Sequence, residues 1–294
     1  MCDSLHSYNY NYPGVELKPE NIFEITNLDY SFMGKYPALC GVTLNVRSGE
    51  SVVILGANGS GKSSLLNLLD GLVFAQKGEI RFMGQLISES ILKDDEFNRY
   101  FRSRVGLVFQ NSDVQLFSST VWDEIAFGPL HLELEPDEVK KRVKDISGML
   151  GIEKLWDRPP YQLSEGEKKK VAIASTIVVN PDVLLLDEPT NGLDPRGQAE
   201  LVDFLRELHK IGKTIIIATH DLNIARIISD RAIVLNESHG IEAEGPTLDI
   251  LENTELLLRV NLIHEHIHSH DGEIHRHPHG HIGDHLHEHD HNDM

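Results

Sequence analysis

Four short apolar runs set the rhythm of this chain: Ser51-Val52-Val53-Ile54-Leu55, Arg104-Val105-Gly106-Leu107-Val108-Phe109, Val183-Leu184-Leu185-Leu186 and Thr214-Ile215-Ile216-Ile217-Ala218. Each is too short for a helix, rich in branched side chains and without polar alternation, the pattern of parallel strands buried on both faces. Val42-Thr43-Leu44-Asn45-Val46 alternates instead, ahead of the turn Arg47-Ser48-Gly49-Glu50. With Ile22-Phe23-Glu24-Ile25 it predicts an antiparallel β edge, and Gly78-Glu79-Ile80-Arg81-Phe82 adds a further short strand. Helical composition follows Leu55 over Ser64-Leu65-Leu66-Asn67-Leu68-Leu69. Helical spacing runs from Thr120 to Leu130, closed by Pro129, and from Pro136 to Leu150, opened by Pro136. A third helix is expected from Lys168 to Val179 with Ser164 as N-cap, and a fourth after Pro195 to about Lys210. Residues 89–102 read as a charged helical or irregular surface piece. Two short strands flank Ser238-His239-Gly240, and the last helical pieces run to about Leu262. The whole predicts an α/β fold with a small helical region inserted between strands.

Chemistry enters between the first buried run and its helix. Gly56-Ala57-Asn58-Gly59-Ser60-Gly61-Lys62-Ser63 fits the phosphate-binding pattern G-x-x-x-x-G-K-[ST], in the strand, loop and helix context that gives the pattern meaning. Its glycines let backbone N–H groups approach phosphate oxygens, and the following helix turns its positive end toward the anion. Lys62 is expected to reach the β and γ phosphates of ATP and Ser63 to bind Mg²⁺, with Ser64 beside them in the cradle. The third buried run ends in Asp187-Glu188, two acids at the carboxyl end of a core strand. Asp187 suits a Mg²⁺ anchor, and Glu188 a base for the water that attacks the γ phosphate. Gln110 and His220 each follow a buried strand, where a side chain can reach a site at the sheet edge. Any of Tyr30, Phe32 and Tyr36 could stack an adenine ring, although a single aromatic is more often core.

Composition narrows the setting. Only Cys2 and Cys40 are present, too few for a disulfide framework, which points to a reducing compartment such as the cytoplasm. No apolar run approaches the roughly 18 residues of a membrane span. The formal net charge of -19 argues against a nucleic-acid partner, since such binding is driven by Lys and Arg. Residues 1–20 are polar and rich in Tyr and Asn, and read as a flexible extension. Beyond Ile263 the chain carries His264, His266, His268, His270, His275, His277, His279, His281, His285, His287, His289 and His291 among Asp, Glu and Gly. Residues 263–294 are therefore expected to be a flexible tail with several sites for Ni²⁺ or Co²⁺, Pro278 and the glycines opposing a fixed cage.

In order, the phosphate loop, Gln110, Leu163-Ser164-Glu165-Gly166-Glu167, Asp187-Glu188, the Asp194 loop and His220 resemble the motifs of an ATP-binding-cassette ATPase, over residues 22–251. The resemblance implies a P-loop NTPase with a RecA-like core sheet, an antiparallel β subdomain and an inserted helical subdomain at about 111–180, all within 21–262. It also implies a homodimer or heterodimer of ATPase subunits sandwiching two ATP, with Ser164 and Gly166 of one subunit facing the phosphates held by the other's Lys62. Gln110 would then sense Mg²⁺ and the attacking water, Phe32 would stack on adenine, and Asp194 would complete the nucleotide site. One departure stands out: the family signature reads Leu-Ser-Gly-Gly-Gln, and the two carboxylates here are unfavourable near a triphosphate unless turned away or met by the lysines at 168–170. The stretches 108–117 and 120–130 resemble energy-coupling-factor importers, notably their cobalt and nickel branch. That implies an integral-membrane coupling protein gripped beside the glutamine loop and a separate substrate-selecting subunit, with this chain peripheral on the cytoplasmic face of the membrane. The alternatives are a vitamin importer of the same type, and a soluble cassette ATPase whose tail is incidental.

Overall fold

The computed structural model describes residues 19–270 and 273–280. In chain order the elements are β1 (Asn21–Phe32), β2 (Tyr36–Arg47), β3 (Ser51–Leu55), α1 (Lys62–Leu69), β4 (Lys77–Phe82), β5 (Gln85–Leu86), α2 (Asp95–Arg104) and β6 (Val105–Val108). The chain continues with α3 (Val121–His131), α4 (Pro136–Leu150), α5 (Glu165–Ile177), β7 (Val183–Asp187), α6 (Pro195–Lys210), β8 (Thr214–Ala218) and α7 (Leu222–Ile228). It closes with β9 (Arg231–Leu235), β10 (Ile241–Pro246), α8 (Thr247–Glu252), α9 (Thr254–Arg259), β11 (Ile263–His270) and β12 (Glu273–Gly280).

The core is a six-stranded sheet ordered β10-β9-β3-β8-β7-β6, parallel except for β10 at one edge. Burial on both faces explains the apolar runs directly. Within β7, Val183 and Leu185 join the core shared with the antiparallel sheet, whereas Leu184 and Leu186 join the core under the helical arm. Successive side chains of a strand point to opposite faces, so a strand with apolar neighbours on both faces needs every position apolar. The antiparallel sheet, ordered β2-β1-β4-β5, has the alternation read from 42–46, but β1 and β2 extend well past the expected segments. Their length was obscured by register shifts, one of them around Asn27, which takes a positive φ of 48°.

Arg231, at the start of β9, ties the two sheets together. Its guanidinium donates to Glu50 Oε1 at 2.7 Å, to Glu50 Oε2 at 2.9 Å, to the Asn45 carbonyl on β2 at 2.7 Å, and to Glu244 on β10. The knot lies at the amino ends of the core strands, opposite the edge where their carboxyl ends emerge.

The helical arm is α3, α4 and α5. α4 has the expected bounds, ended by Gly151 in the left-handed region, but α3 continues through Pro129 to His131. Proline there removes one intrahelical hydrogen bond, and the ladder resumes with the Leu132 N–H on the Gly128 carbonyl at 3.0 Å. α5 starts three residues before the expected Lys168 and stops two before the expected Val179: it runs from Glu165, with Ser164 as N-cap, and ends at Ile177.

The expected N-terminal extension lies outside the described residues except for 19 and 20. At the other end, Leu262 and Ile263 are buried with Val53, Leu55 and Leu257, so the cassette's core reaches one residue beyond the expected boundary. Beyond it, residues 263–270 pair antiparallel with residues 273–280, β11 with β12, where composition alone suggested no regular structure. Pro278 is accommodated because a two-stranded ribbon leaves every residue on an edge strand. His281, His285, His287, His289 and His291 lie outside the described residues.

Candidate ATP-hydrolysis site

Parallel strands deliver their carboxyl ends to one edge of a sheet, and here that edge collects the polar groups. β3 leads into the phosphate loop, β6 into Gln110, β7 into Glu188 and β8 into Thr219 and His220. They converge on a cleft of about 640 Å³ lined by Phe32, Asn58, Gly59, Gly61, Lys62, Ser63, Ser64, Gln110, Asp187, Glu188 and His220. Pro37, Ala38 and Asn191, which the sequence reading did not single out, complete the lining.

The loop's glycines have distinct reasons. Gly61, at the N-cap of α1, has φ 109°, and a Cβ there would sit 2.1 Å from the Ala38 carbonyl oxygen. Gly56 has φ 158°, and a Cβ would fall 2.4 Å from Ser60 Oγ. Gly56, Ala57 and Ser60 do not line the cleft; they shape it. Lys62 Nζ donates to the Gly56 carbonyl at 2.8 Å and the Ala57 carbonyl at 3.1 Å, so the ammonium lies across its own loop. Burial pushes its pKa below the ordinary lysine value, against the charges of Glu188 and Asp187.

Two buried polar atoms of these elements have no hydrogen-bond partner among the described residues: Ser60 Oγ in the loop and Asp187 Oδ1 in the cleft wall. Buried polar groups are rarely left unpaired, and here the orphans sit beside a phosphate loop. Asp187 accepts a side-chain hydrogen bond from Ser63, while burial, followed by the neighbouring Glu188 charge, raises its carboxyl pKa. Hydroxyl and carboxylate oxygens so joined, with one oxygen unpaired, fit a hard cation, so Ser63 and Asp187 would hold Mg²⁺. A Mg²⁺ ion held by these residues would supply positive charge to offset the negative charge of the phosphates.

Glu188 is 4% exposed, with φ 44°. Its backbone is left-handed, a strained choice for a residue with a side chain, and strain of this kind concentrates at functional sites. Thr219 Oγ1 donates to Glu188 Oε2 at 2.9 Å, and His220 Nδ1 lies 2.6 Å from Glu188 Oε1. Each carboxylate oxygen therefore has one partner, and each keeps a second lone pair able to accept a further hydrogen bond. Thr219 gave no local signal in the sequence, because its role depends on β7 and β8 lying side by side.

Gln110 is held from behind. Lys169, on α5 and 2% exposed, donates to the Phe109 carbonyl at 3.1 Å and the Gln110 carbonyl at 2.7 Å. Gln115 adds a second tie, accepting from the Phe109 N–H and donating to the Ala172 carbonyl at 2.9 Å. The glutamine loop is thus fastened to the helix that begins at Ser164.

Phe32 is 49% exposed at the mouth of the cleft, packed edge-on against Tyr30 with centroids 5.4 Å apart. Ser164 and Gly166 do not line the cleft within the chain. Ser164 caps α5 in a capping box: Glu167 accepts the Ser164 N–H at 2.9 Å and its hydroxyl at 3.0 Å. Glu165 is met by Lys168 at 3.1 Å. The two unusual carboxylates are therefore accounted for, one as a cap and one as an ion pair. Asp194 also stands outside the cleft, capping α6 by accepting the Gly197 N–H at 2.8 Å.

A phosphate loop, a Ser–Asp pair suited to Mg²⁺ and a strained carboxylate backed by histidine define a P-loop nucleotide hydrolase. Residues 39–191 match the ABC transporter family. A putative ABC transporter ATP-binding protein of Methanosarcina acetivorans is 52% identical over 91% of this chain and 98% of its own. The nickel import ATP-binding protein NikO of Rhodobacter capsulatus is 42% identical over 82% of this chain and 95% of its own. Among solved structures, cbiO1 from Clostridium perfringens, described as part of the ABC transporter complex cbiONQ, aligns with a TM-score of 0.70 at 38% identity, covering 83% of this chain and 96% of that one. The chain belongs to the ABC transporter ATP-binding family, and it is an ATPase that works on ATP with Mg²⁺.

Proposed function

We propose that this chain is the ATP-hydrolysing subunit of a membrane importer for Ni²⁺ or Co²⁺, seated on the cytoplasmic face of the membrane. No described helix is long and apolar enough to cross a membrane, so the transport path belongs to partners. The observation that carries the partner reading is an apolar ridge beside the glutamine loop. Phe117 is 68% exposed, Phe127 49%, Val114 69% and Leu130 55%. The two phenylalanines pack edge-on at 4.9 Å, and buried Glu124 fixes the loop by accepting the N–H groups of Phe117 and Ser118. An apolar patch of this kind marks an interaction surface, and its place next to Gln110 suits a helix of an integral-membrane coupling protein. A separate membrane subunit would select the substrate.

The cargo reading rests on the kinship with NikO and cbiO1 together with the histidine-rich end of the chain. The dimer reading rests on the incomplete site: Ser164 and Gly166 lie outside the cleft that contains Lys62, so a second cassette, identical or related, supplies them head to tail. In that arrangement Lys62 and the loop N–H groups hold the phosphates, Glu188 takes the proton of the attacking water, and Gln110 orients that water. Membrane partners that co-purify with the chain should be reconstituted into vesicles and supplied with ATP. Accumulation of radioactive nickel or cobalt supports the proposal. Accumulation of a vitamin in place of metal overturns the cargo, and ATP hydrolysis without any membrane partner in native membranes overturns the importer.

A further inference from the structure

The histidines of the terminal hairpin are not distributed at random over its two faces. β11 carries His264, His266, His268 and His270 at every second position, and β12 carries His275, His277 and His279 in the same way. The register then sets His264 opposite His279, His266 opposite His277, His268 opposite His275 and His270 opposite Glu273. Residues directly opposite in an antiparallel pair share a face, and so do residues two apart along a strand. All seven histidines and Glu273 therefore fall on one face, in four consecutive rungs. The opposite face carries Ile263, Glu265, Ile267, Ser269, Ile274, Arg276 and Pro278.

From this juxtaposition we infer that the hairpin is a two-ion site for late first-row divalent cations, each ion held by two adjacent rungs. Cβ atoms across a rung lie ~4.5–5.5 Å apart, and successive rungs are separated by ~6.8 Å, two residues of antiparallel strand. Four histidine positions on two adjacent rungs at those spacings are compatible with one ion whose metal–nitrogen bonds are ~2.0–2.1 Å. The first two rungs supply four histidines; the last two supply three histidines and Glu273. Imidazole and mixed imidazole–carboxylate sets suit Ni²⁺, Co²⁺, Zn²⁺ and Cu²⁺ rather than Mg²⁺ or Ca²⁺. The alternative reading, a composition-driven chelator without register, makes no use of the pairing. Among the described side chains of the cassette itself, no group of three His, Cys, Asp or Glu forms a metal site. The ladder starts next to Ile263, which is buried in the cassette's own core.

The test reads metal binding by purified protein, so it stands apart from whether the cargo proposal is right. A chain ending at Gly280 lacks the five outer histidines and should bind two Co²⁺ ions, with the visible absorption of a four-coordinate N/O site, while a chain ending at His264 should bind none tightly. The decisive variant keeps composition and breaks register: in the chain ending at Gly280, Ile274→His with His275→Ile, Arg276→His with His277→Arg, and Pro278→His with His279→Pro move three histidines to the other face. Its Co²⁺ affinity should fall at least tenfold and the four-coordinate absorption should disappear. As a second variant, His266→Asn with His277→Asn should remove one of the two ions and leave the other. ATPase activity, unchanged in every form, verifies that the cassette folds. Equal affinity and spectrum in the permuted chain, or no binding by the chain ending at Gly280, overturns the inference.

Discussion

Replacing Lys169 by Met tests whether the helix beginning at Ser164 holds the glutamine loop in place. The wild-type ammonium makes two hydrogen bonds to main-chain carbonyls, at 3.1 and 2.7 Å. Charged donors contribute about 1.5–3 kcal/mol each, so the gross loss is about 3–6 kcal/mol. Two effects offset it. Burial disfavours the ammonium and lowers its pKa, a cost that Met lacks, and exposed Gln110 leaves its carbonyl within reach of water. The net destabilisation should be about 1–3 kcal/mol, or a fall in Tm of about 2–4 °C per kcal/mol for a domain of this size. Thermal unfolding, nucleotide titration and steady-state ATPase assays on the same preparation read the three consequences. Nucleotide affinity should stay within about twofold, because Lys62 and Ser63 are untouched, while kcat falls about tenfold or more as Gln110 loses its anchor. Unchanged stability and kcat, or an affinity that falls in step with kcat, would refute the reasoning.

Glu188→Gln preserves shape and hydrogen bonding but removes the base, so hydrolysis should drop by about 10²-fold or more with ATP binding intact; near-normal turnover would remove Glu188 from that role. Lys62→Ala should instead weaken nucleotide affinity itself, as calorimetry would show. Ser164→Arg should block hydrolysis although Ser164 lies outside the chain's own cleft, and a mixture with Lys62→Ala should restore trapping at one site per dimer; no trapping in the mixture would count against the head-to-tail pairing. Asp70 is buried beside Arg102, and burial raises its carboxyl pKa from 3.8 to about 6. The folded state therefore holds that proton more tightly, and the associated stability is present below pH 3.8 and lost as pH rises through about 6. At about 1.4 kcal/mol per pH unit the difference is about 3 kcal/mol, so Asp70→Asn should remove a downward slope of that size between pH 4 and 6 in chemical denaturation.

The parts of the site that sequence made legible are those with local syntax. A glycine loop between a buried strand and a helix, and two acids at a strand end, say what they are without knowledge of their neighbours. Gln110 and His220 were legible for a related reason, since each directly follows an apolar run whose carboxyl end must reach the sheet edge. Lys169 and Thr219 were not, because their partners are two carbonyls just past β6 and a carboxylate just past β7, contacts set only by tertiary packing. The same limit hid the hairpin. Alternation of His with other residues is a period-two pattern, but a polar, histidine-rich composition outweighed it, and register between two strands is invisible until they are paired. Pro129 misled in the opposite direction: proline is a strong helix breaker on average, yet packing of α3 against α4 and α5 carries the helix one more half-turn.

The Arg231 knot has a mechanical meaning. It clamps β2, β9, β10 and the turn at Glu50 together at one margin, and so locks the antiparallel sheet to the core sheet there. One guanidinium is thus a keystone: the two sheets share its bonds, so neither can part from the other at that margin without breaking them.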